Sequence, residues 1–328
     1  MKKIAINGFG RIGRITLRAL LERKKVEVVA INDLTDTTTL AHLFKYDSVH
    51  RKFNGTVEAG TDFLVINGKK IKVFAEKDPA NLPWKELAVD FVIECTGKFT
   101  KSSEASAHIA AGAKRVIISA PASGDDVKTV VLGVNESILE GTEKIISNAS
   151  CTTNCGAPMI KVLDDNWGVV SCYISTVHSY TGDQRLHDAP HKDLRRARAA
   201  ALSMIPTTTG AAKAITKIFP HLEGKMGGCG FRVPVPDGSL TDITCTLSKD
   251  ATVDEINAAF KKAAETSMKG ILEYSTEPLV SIDIVGNPHS CILDAELTSV
   301  VGHMVKVIGW YDNEAGYSNR LADLVERL

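Results

Sequence analysis

The chain has 328 residues, 44% of them hydrophobic and 24% charged, a composition too apolar for a disordered protein. Lys plus Arg and Asp plus Glu each number 39, so the formal net charge is zero. That balance excludes the basic surface of a dedicated nucleic-acid or anionic-membrane binder, and no apolar run approaches the ~20 residues that cross a bilayer.

At roughly 150 residues per domain the length predicts two domains. In the first half, short runs rich in Val and Ile at 3–7, 26–32, 89–94, 116–119, 130–133 and 144–147 read as buried strands. Helical stretches at 12–23, 37–46 and 102–111 alternate with several of them, which predicts βαβ units and a parallel sheet covered on both faces. Asn67-Gly68 between two apolar runs predicts a hairpin within 61–74. The apolar stretch after Met1-Lys2-Lys3 stops at Asn7-Gly8, too early for a signal peptide.

Beyond residue 150 the pattern changes to strands at 169–181, 225–234, 240–247, 297–300 and 304–311, with helices at 209–218 and 253–268. Many strands and few helices predict a mostly antiparallel sheet. A last amphipathic helix spans 313–327, with apolar Leu321, Leu324, Val325 and Leu328. The expected fold class is therefore α/β: a Rossmann-type dinucleotide-binding domain, 1–149, joined by the C-terminal helix 313–328, and an α+β catalytic domain, 150–312, on a mostly antiparallel sheet. Seven cysteines, none in a C-x-x-C pair, predict free thiols and a cytoplasmic protein.

Gly8-Phe9-Gly10-Arg11-Ile12-Gly13 is a G-x-G-x-x-G between a strand and a helix. Gly8 permits the tight turn, Gly10 lets the backbone approach a pyrophosphate, and Gly13 lets helix and strand pack closely. The helix N-terminus offers N–H groups and a positive dipole end to the phosphates. Asp33, twenty residues past Gly13, can accept from ribose hydroxyls and repels a 2′-phosphate, which favours NAD over NADP. The competing reading is a ligand-free βα turn, with Asp33 capping the next helix.

In Ser147-Asn148-Ala149-Ser150-Cys151-Thr152-Thr153-Asn154-Cys155 a strand runs into a helix, and Cys151 falls in the first turn. There the dipole favours a thiolate, whereas Cys155, one turn deeper, fits a buried apolar role. A nucleophilic thiol needs a base, and His178 on a polar strand end is the best-placed histidine; its spacing fits a structural role equally well. Metal binding is not expected, because these residues lack a fourth ligand and zinc spacing. Thr207-Thr208-Thr209-Gly210 before a helix suits a phosphate. Arg232 inside the apolar run Phe231-Arg232-Val233 calls for an anionic partner, while Arg195, Arg196 and Arg198 alone read as a solvated basic loop.

These motifs together resemble the phosphorylating glyceraldehyde-3-phosphate dehydrogenase family. The resemblance extends from Ile6-Asn7-Gly8-Phe9-Gly10-Arg11-Ile12-Gly13-Arg14 to Trp310-Tyr311-Asp312-Asn313-Glu314-Ala315-Gly316-Tyr317-Ser318, through residues 147–155, 203–213 and Arg232-Val233-Pro234-Val235-Pro236. It implies that Cys151 forms a thiohemiacetal and then a thioester with glyceraldehyde 3-phosphate, that His178 moves the protons, and that inorganic phosphate releases 1,3-bisphosphoglycerate. By the same resemblance Thr181 and Arg198 hold the substrate phosphate, with Arg232 serving it or lying between two anion sites. Ser150, Thr152, Thr209 and Gly210 hold the attacking phosphate.

Arg11, Ile12, Asp33, Lys77, Ser119 and Asn313 carry over as NAD contacts, Asn313 at the carboxamide, and Tyr317 as the ring packed beside the nicotinamide. Ala189-Pro190 departs from the Leu-Pro common in NAD-preferring relatives. A homotetramer is implied, with the loop 181–201 reaching the neighbouring subunit. The rival readings are erythrose-4-phosphate dehydrogenase, which lacks the second anion site, and a cysteine hydrolase, which has no use for the glycines and Asp33.

Overall fold

The computed structural model describes residues 1–328, and its backbone contacts divide them into two units. The first comprises Met1–Val130, Glu136–Ala149 and Ser318–Leu328; the second comprises Val131–Asn135 and Ser150–Tyr317.

In chain order the first unit contains β1 (Lys3–Asn7), α1 (Arg11–Arg23), β2 (Glu27–Asn32), α2 (Thr37–Lys45), β3 (Val57–Ala59), β4 (Phe63–Ile66) and β5 (Lys69–Phe74). Then come β6 (Phe91–Glu94), α3 (Ser102–Ala110), β7 (Arg115–Ile118), β8 (Lys128–Thr129) and β9 (Ile145–Ser147). They form one nine-stranded sheet in the order β3-β4-β5-β2-β1-β6-β7-β9-β8. Pairing is parallel from β5 through to β8, and only β3, β4 and β5 pair antiparallel.

Successive residues of the central strands feed opposite cores. Ala5, Val92 and Val116 pack with Trp84 on one face, while Ile6 and Ile31 pack with Leu17, Leu40 and Phe44 on the other. That two-sided burial is why these strands are apolar throughout instead of alternating. The hairpin forms at Asn67-Gly68, both at positive φ (50° and 76°), the conformation that a two-residue turn needs.

One expected strand fails. Residues 130 and 131 have no regular structure and 132–135 are turn, and the strand there is β8, ending at Thr129. Val130, Val131 and Leu132 are buried all the same, so the apolar run reported burial and not conformation. Gly133 at positive φ and the Asn135 side chain, which accepts from the Val131 N–H at 2.8 Å, close the turn.

The second unit contains α4 (Cys151–Trp167), β10 (Val169–Ser179), β11 (Ile205–Thr207), α5 (Ala211–Ile218), β12 (Met226–Val233) and β13 (Ser239–Leu247). These are followed by α6 (Val253–Glu265), β14 (Leu272–Ser275), β15 (Cys291–Val301), β16 (Met304–Tyr311) and the start of α7 (Ala315–Arg327). The seven-stranded sheet has the order β11-β12-β10-β13-β16-β15-β14, and only the β10–β12 and β14–β15 pairs are parallel.

Strand β15 is much longer than the expected 297–300. Its acidic residue Asp294 hid the pattern, and the Trp310 indole N–H satisfies that carboxylate at 3.0 Å. Short β3, β11 and β14 carry too little periodicity to have been anticipated.

The final helix starts at Ala315, because the Asp312 carboxylate accepts from the N–H groups of Glu314 and Ala315 at 2.8 and 2.7 Å and so caps it. Asp312–Tyr317 consequently group with the second unit, and the return to the first begins at Ser318, five residues later than expected. The Lys2 ammonium donates to the carbonyls of Val325 and Glu326 at 3.2 and 2.9 Å, tying the C-terminal turn to the start of the first sheet.

Candidate active site

The first unit presents a cleft of about 480 Å³ at the carboxyl ends of β1 and β2, lined by Gly8, Gly10, Asp33, Lys77, Thr96 and neighbours. Its glycines divide by the reason each is glycine. A Cβ on Gly13 would lie 2.2 Å from the Gly8 carbonyl oxygen, and one on Gly8 (φ +91°) would lie 2.7 Å from the Thr96 nitrogen. Gly10 has nothing within 4 Å of its would-be Cβ, so no protein atom demands a glycine there. Helix α1 begins at Arg11 on that residue, with no side chain capping its first N–H groups. An open helix start beside room for a close ligand is what a bound pyrophosphate requires.

Asp33 accepts from the Phe9 N–H at 2.8 Å and the Thr35 N–H at 3.0 Å, which aims the carboxylate at the cleft from the end of β2. Beneath the glycine turn lies a buried network. The Trp84 indole N–H donates to His108 Nδ1 at 3.0 Å, so the ring proton sits on Nε2 and is donated to Glu94 at 3.0 Å. Glu94 also accepts from Asn7 and Thr96, and Asn7 accepts from Asn32 at 2.7 Å. Each strand end at the cleft is thus tied to its neighbour.

Not every expected cofactor residue faces this cleft. Ile12 lies inside α1, and the Arg11 guanidinium bonds both oxygens of Asp47 at 2.6 and 3.1 Å. Burial alone would raise the Asp47 pKa, but Arg11 and two backbone N–H groups outweigh it and hold the carboxyl at about 2. Ser119 continues β7, its N–H donating to the Glu94 carbonyl at 2.9 Å. Asn313 and Tyr317 belong to the second unit, where Asn313 Oδ1 accepts from Ser179 and Ser239 at 2.8 and 2.7 Å.

In the second unit, Cys151 is the first residue of α4. Ser150 is its N-cap, accepting from the Thr153 N–H at 3.1 Å, and Ala149 before it holds a buried left-handed conformation (φ 56°). A buried non-glycine in that region is a strained turn, one that swings the chain sharply into the helix. Cys151 Sγ lies 3.4 Å from His178 Nε2 near the end of β10. Parallel pairing of β10 with β12 sets Arg232 beside His178, and its guanidinium reaches the Ser179 carbonyl at 3.1 Å and His178 Nδ1 at 2.8 Å. Nδ1 is also 2.8 Å from the Ser179 carbonyl. With a donor and an acceptor both facing Nδ1, each neutral tautomer has a partner, and Nε2 can take a proton from the sulfur or return one.

The surroundings of the sulfur work against the expected thiolate. Burial pushes the Cys151 thiol upward, and the opposing pull of Arg232 and of the Thr152 N–H and hydroxyl does not overcome it. Burial and then Arg232 draw the His178 imidazole down to about 3. Burial thus favours the uncharged form of both groups.

The arginine loop also departs from expectation. Arg198 is two-thirds exposed and pairs with Asp188 at 2.8 Å. Arg196, 19% exposed, bonds Asp183 at 2.6 Å, Thr207 Oγ1 at 3.0 Å and the Thr208 carbonyl at 3.3 Å, and its charge is felt at both His178 and Arg232. The sequence holds three adjacent arginines of equal claim, and only the folded loop distinguishes them. Thr181 Oγ1 donates to Asp183, and the Thr209 hydroxyl accepts from the Ala211 N–H at 3.2 Å at the start of α5, whose N-cap is Gly210. Thr152 Oγ1 stands 2.9 Å from the hydroxyl of Tyr311, a residue of the 310–318 motif to which the sequence attaches no role. Cys155 lies deeper in α4, fully buried.

Family models match most of the chain: "Glyceraldehyde 3-phosphate dehydrogenase, NAD binding domain" over residues 2–102 and "Glyceraldehyde 3-phosphate dehydrogenase, C-terminal domain" over residues 150–313. Glyceraldehyde-3-phosphate dehydrogenase 2 of Streptomyces avermitilis is 58% identical over 325 residues, 98% of this chain and 97% of that protein. Glyceraldehyde-3-phosphate dehydrogenase 1 of Bacillus cereus is 58% identical over 326 residues, 99% and 97% of the two chains. The Geobacillus stearothermophilus glyceraldehyde-3-phosphate dehydrogenase is 57% identical over 324 residues, 98% and 96%.

Proposed function

Because the chain belongs to the glyceraldehyde-3-phosphate dehydrogenase family, we propose that its Cys151–His178 pair carries the family reaction. That reaction is the oxidation of glyceraldehyde 3-phosphate, with NAD and inorganic phosphate, to 1,3-bisphosphoglycerate. The observation that carries the assignment is the 3.4 Å approach of the Cys151 sulfur to the His178 imidazole beside the half-buried Arg232 guanidinium.

His178 Nε2 takes the Cys151 proton as sulfur bonds to the aldehyde carbon, and the imidazolium returns it to the oxygen, giving a thiohemiacetal. His178 then removes the hydroxyl proton as the C–H bond breaks and the thioester forms. NAD, when bound, supplies the hydride acceptor. A phosphate oxygen next attacks the acyl carbon, the C–S bond breaks, and the electron pair returns to sulfur.

Two anions must be held. Thr181, Arg232 and Arg196, in place of the exposed Arg198, are assigned to the substrate phosphate; Ser150, Thr152, Thr209 and Gly210 are assigned to the attacking one. Gly8, Gly10, Gly13, Asp33 and Lys77 are assigned to the dinucleotide cleft, and Arg11, Ile12, Ser119, Asn313 and Tyr317 are assigned to the same cofactor by the family resemblance alone. NADH formation with and without phosphate, or arsenate, tests the scheme. Dependence on either anion is expected. Turnover indifferent to both would favour the erythrose-4-phosphate reading, and no NADH at all from folded protein would favour the hydrolase.

Assembly with copies of itself, as a homotetramer, belongs to the same reading. On the sheet face away from α4 and α5, Phe231, Val177 and Leu240 line up across three neighbouring strands, next to exposed Tyr173, and Leu194, Leu202 and Met204 project from the loop nearby. Aligned apolar side chains of this extent suit a partner of the same chemistry. Light scattering should give four chains per particle; a monomer would overturn this. Seven free cysteines suit a reducing compartment and so support a cytoplasmic location.

A further inference from the structure

Behind Cys151 a row of three buried hydroxyls runs away from the thiol. Thr152 Oγ1 is 2.9 Å from Tyr311 Oη, which is 2.9 Å from Thr176 Oγ1, which donates to the Leu240 carbonyl at 3.2 Å. Burial raises the Tyr311 pKa, so the group stays a phenol with one proton to place. Two arrangements of the row matter, set by which way the Tyr311 proton points. With Thr176 bonded to Leu240, Tyr311 donates to Thr176 and Thr152 donates to Tyr311, leaving Thr152 Oγ1 with lone pairs alone to offer outward. If Thr176 releases the long bond to Leu240 and turns to Tyr311, Tyr311 donates to Thr152, and the Thr152 proton points outward. No heavy atom moves between the two.

We infer that Tyr311 is a positioning residue for the acyl-transfer half of the reaction, a relay that turns Thr152 from acceptor to donor when the attacking phosphate arrives. The inference rests on the reading above, in which Thr152 faces that phosphate. An anion needs a donor, and a Thr152 hydroxyl that accepts from Tyr311 while donating outward is both held in place and polarised. The Tyr311 ring also lies edge-on to His178, with centroids 5.9 Å apart at 77°, and a phenylalanine would keep that contact.

The two ends of the relay separate the effect from mere damage. Tyr311→Phe removes the relay, and the KM for phosphate should rise about five- to tenfold, the worth of one hydrogen bond, with a smaller change in kcat. Thr176→Val removes the proton sink, so the phenol must donate to Thr152 and the donor stays outward. The phosphate KM should then fall or hold while Tyr311→Phe raises it.

Stopped-flow NADH bursts without phosphate, which read acylation alone, should keep their amplitude in both variants. A phosphate KM unchanged in Tyr311→Phe, a rise in both variants, or bursts lost along with phosphate affinity would each overturn the relay. Failure of the family reading would show separately, as wild-type turnover indifferent to phosphate.

Discussion

In the first unit the cleft is shaped by main chain: Gly8, Gly10, the open start of α1 and a carboxylate at Asp33, all within one βαβ stretch. In the second unit the reactive cluster is made of side chains from α4, β10, β12 and β16, with Thr152 and Tyr311 bonded across 159 residues of sequence. A dinucleotide pyrophosphate can be held by N–H groups that any sequence possesses, provided nothing blocks their approach. Proton transfer needs particular side chains at particular distances, and a sheet gathers them from far apart. Loss at the first site should therefore be steric and graded, and loss at the second chemical and abrupt.

The widest contrast comes from removing the nucleophile. Cys151→Ser should abolish turnover while calorimetric NAD binding persists; retained dehydrogenase activity would break the assignment. His178→Asn should lower kcat about 10²–10⁴-fold, the usual contribution of a general acid–base, and a near-normal kcat would make the residue structural.

The glycines sharpen the comparison from the other side. Gly13→Ala drives a Cβ into the Gly8 carbonyl and should destabilise the protein by about 1–3 kcal/mol in chemical denaturation. Gly10→Ala meets no protein atom, so stability should hold while the KM for NAD rises. Equal stability losses in the two would show that Gly10 serves packing. In the arginine loop, Arg196→Leu should raise the KM for glyceraldehyde 3-phosphate about tenfold or more, the worth of a charge-assisted bond, and exposed Arg198→Leu should change it little. The reverse order would restore Arg198 to the site.

The smallest effect is on stability. An unfolded histidine protonates near 6.5, whereas folded His178 does so only near about 3, so between those values the unfolded chain binds one proton more. Stability should fall as pH drops through that window, by up to about 1.4 kcal/mol per pH unit from this residue. Denaturation of His178→Asn across the same range should show a shallower slope, and an identical slope would mean that the imidazole is not kept neutral.

The glycine turn, the Cys151 helix start, the hairpin and most strands were legible from residue order, because each depends on neighbours in sequence: a turn needs glycine, a cap needs a hydroxyl, a buried strand needs an apolar run. The same apolar signal misled at 130–133, where burial came without a strand, and was masked at β15, where a buried Asp294 finds its partner in Trp310. The upward pull of burial on the Cys151 thiol is invisible in the sequence for a related reason. A helix start can be read from spacing, but desolvation is set by everything packed around the sulfur.

What the sequence by itself determined is the pair of local frameworks and the chemical groups they display. Which arginine turns inward, which tyrosine stands behind Thr152, and how far His178 is emptied of its proton were decided only by tertiary structure. Those are properties of distance and dielectric between residues that the chain order keeps apart, and they exist only once the second sheet has formed.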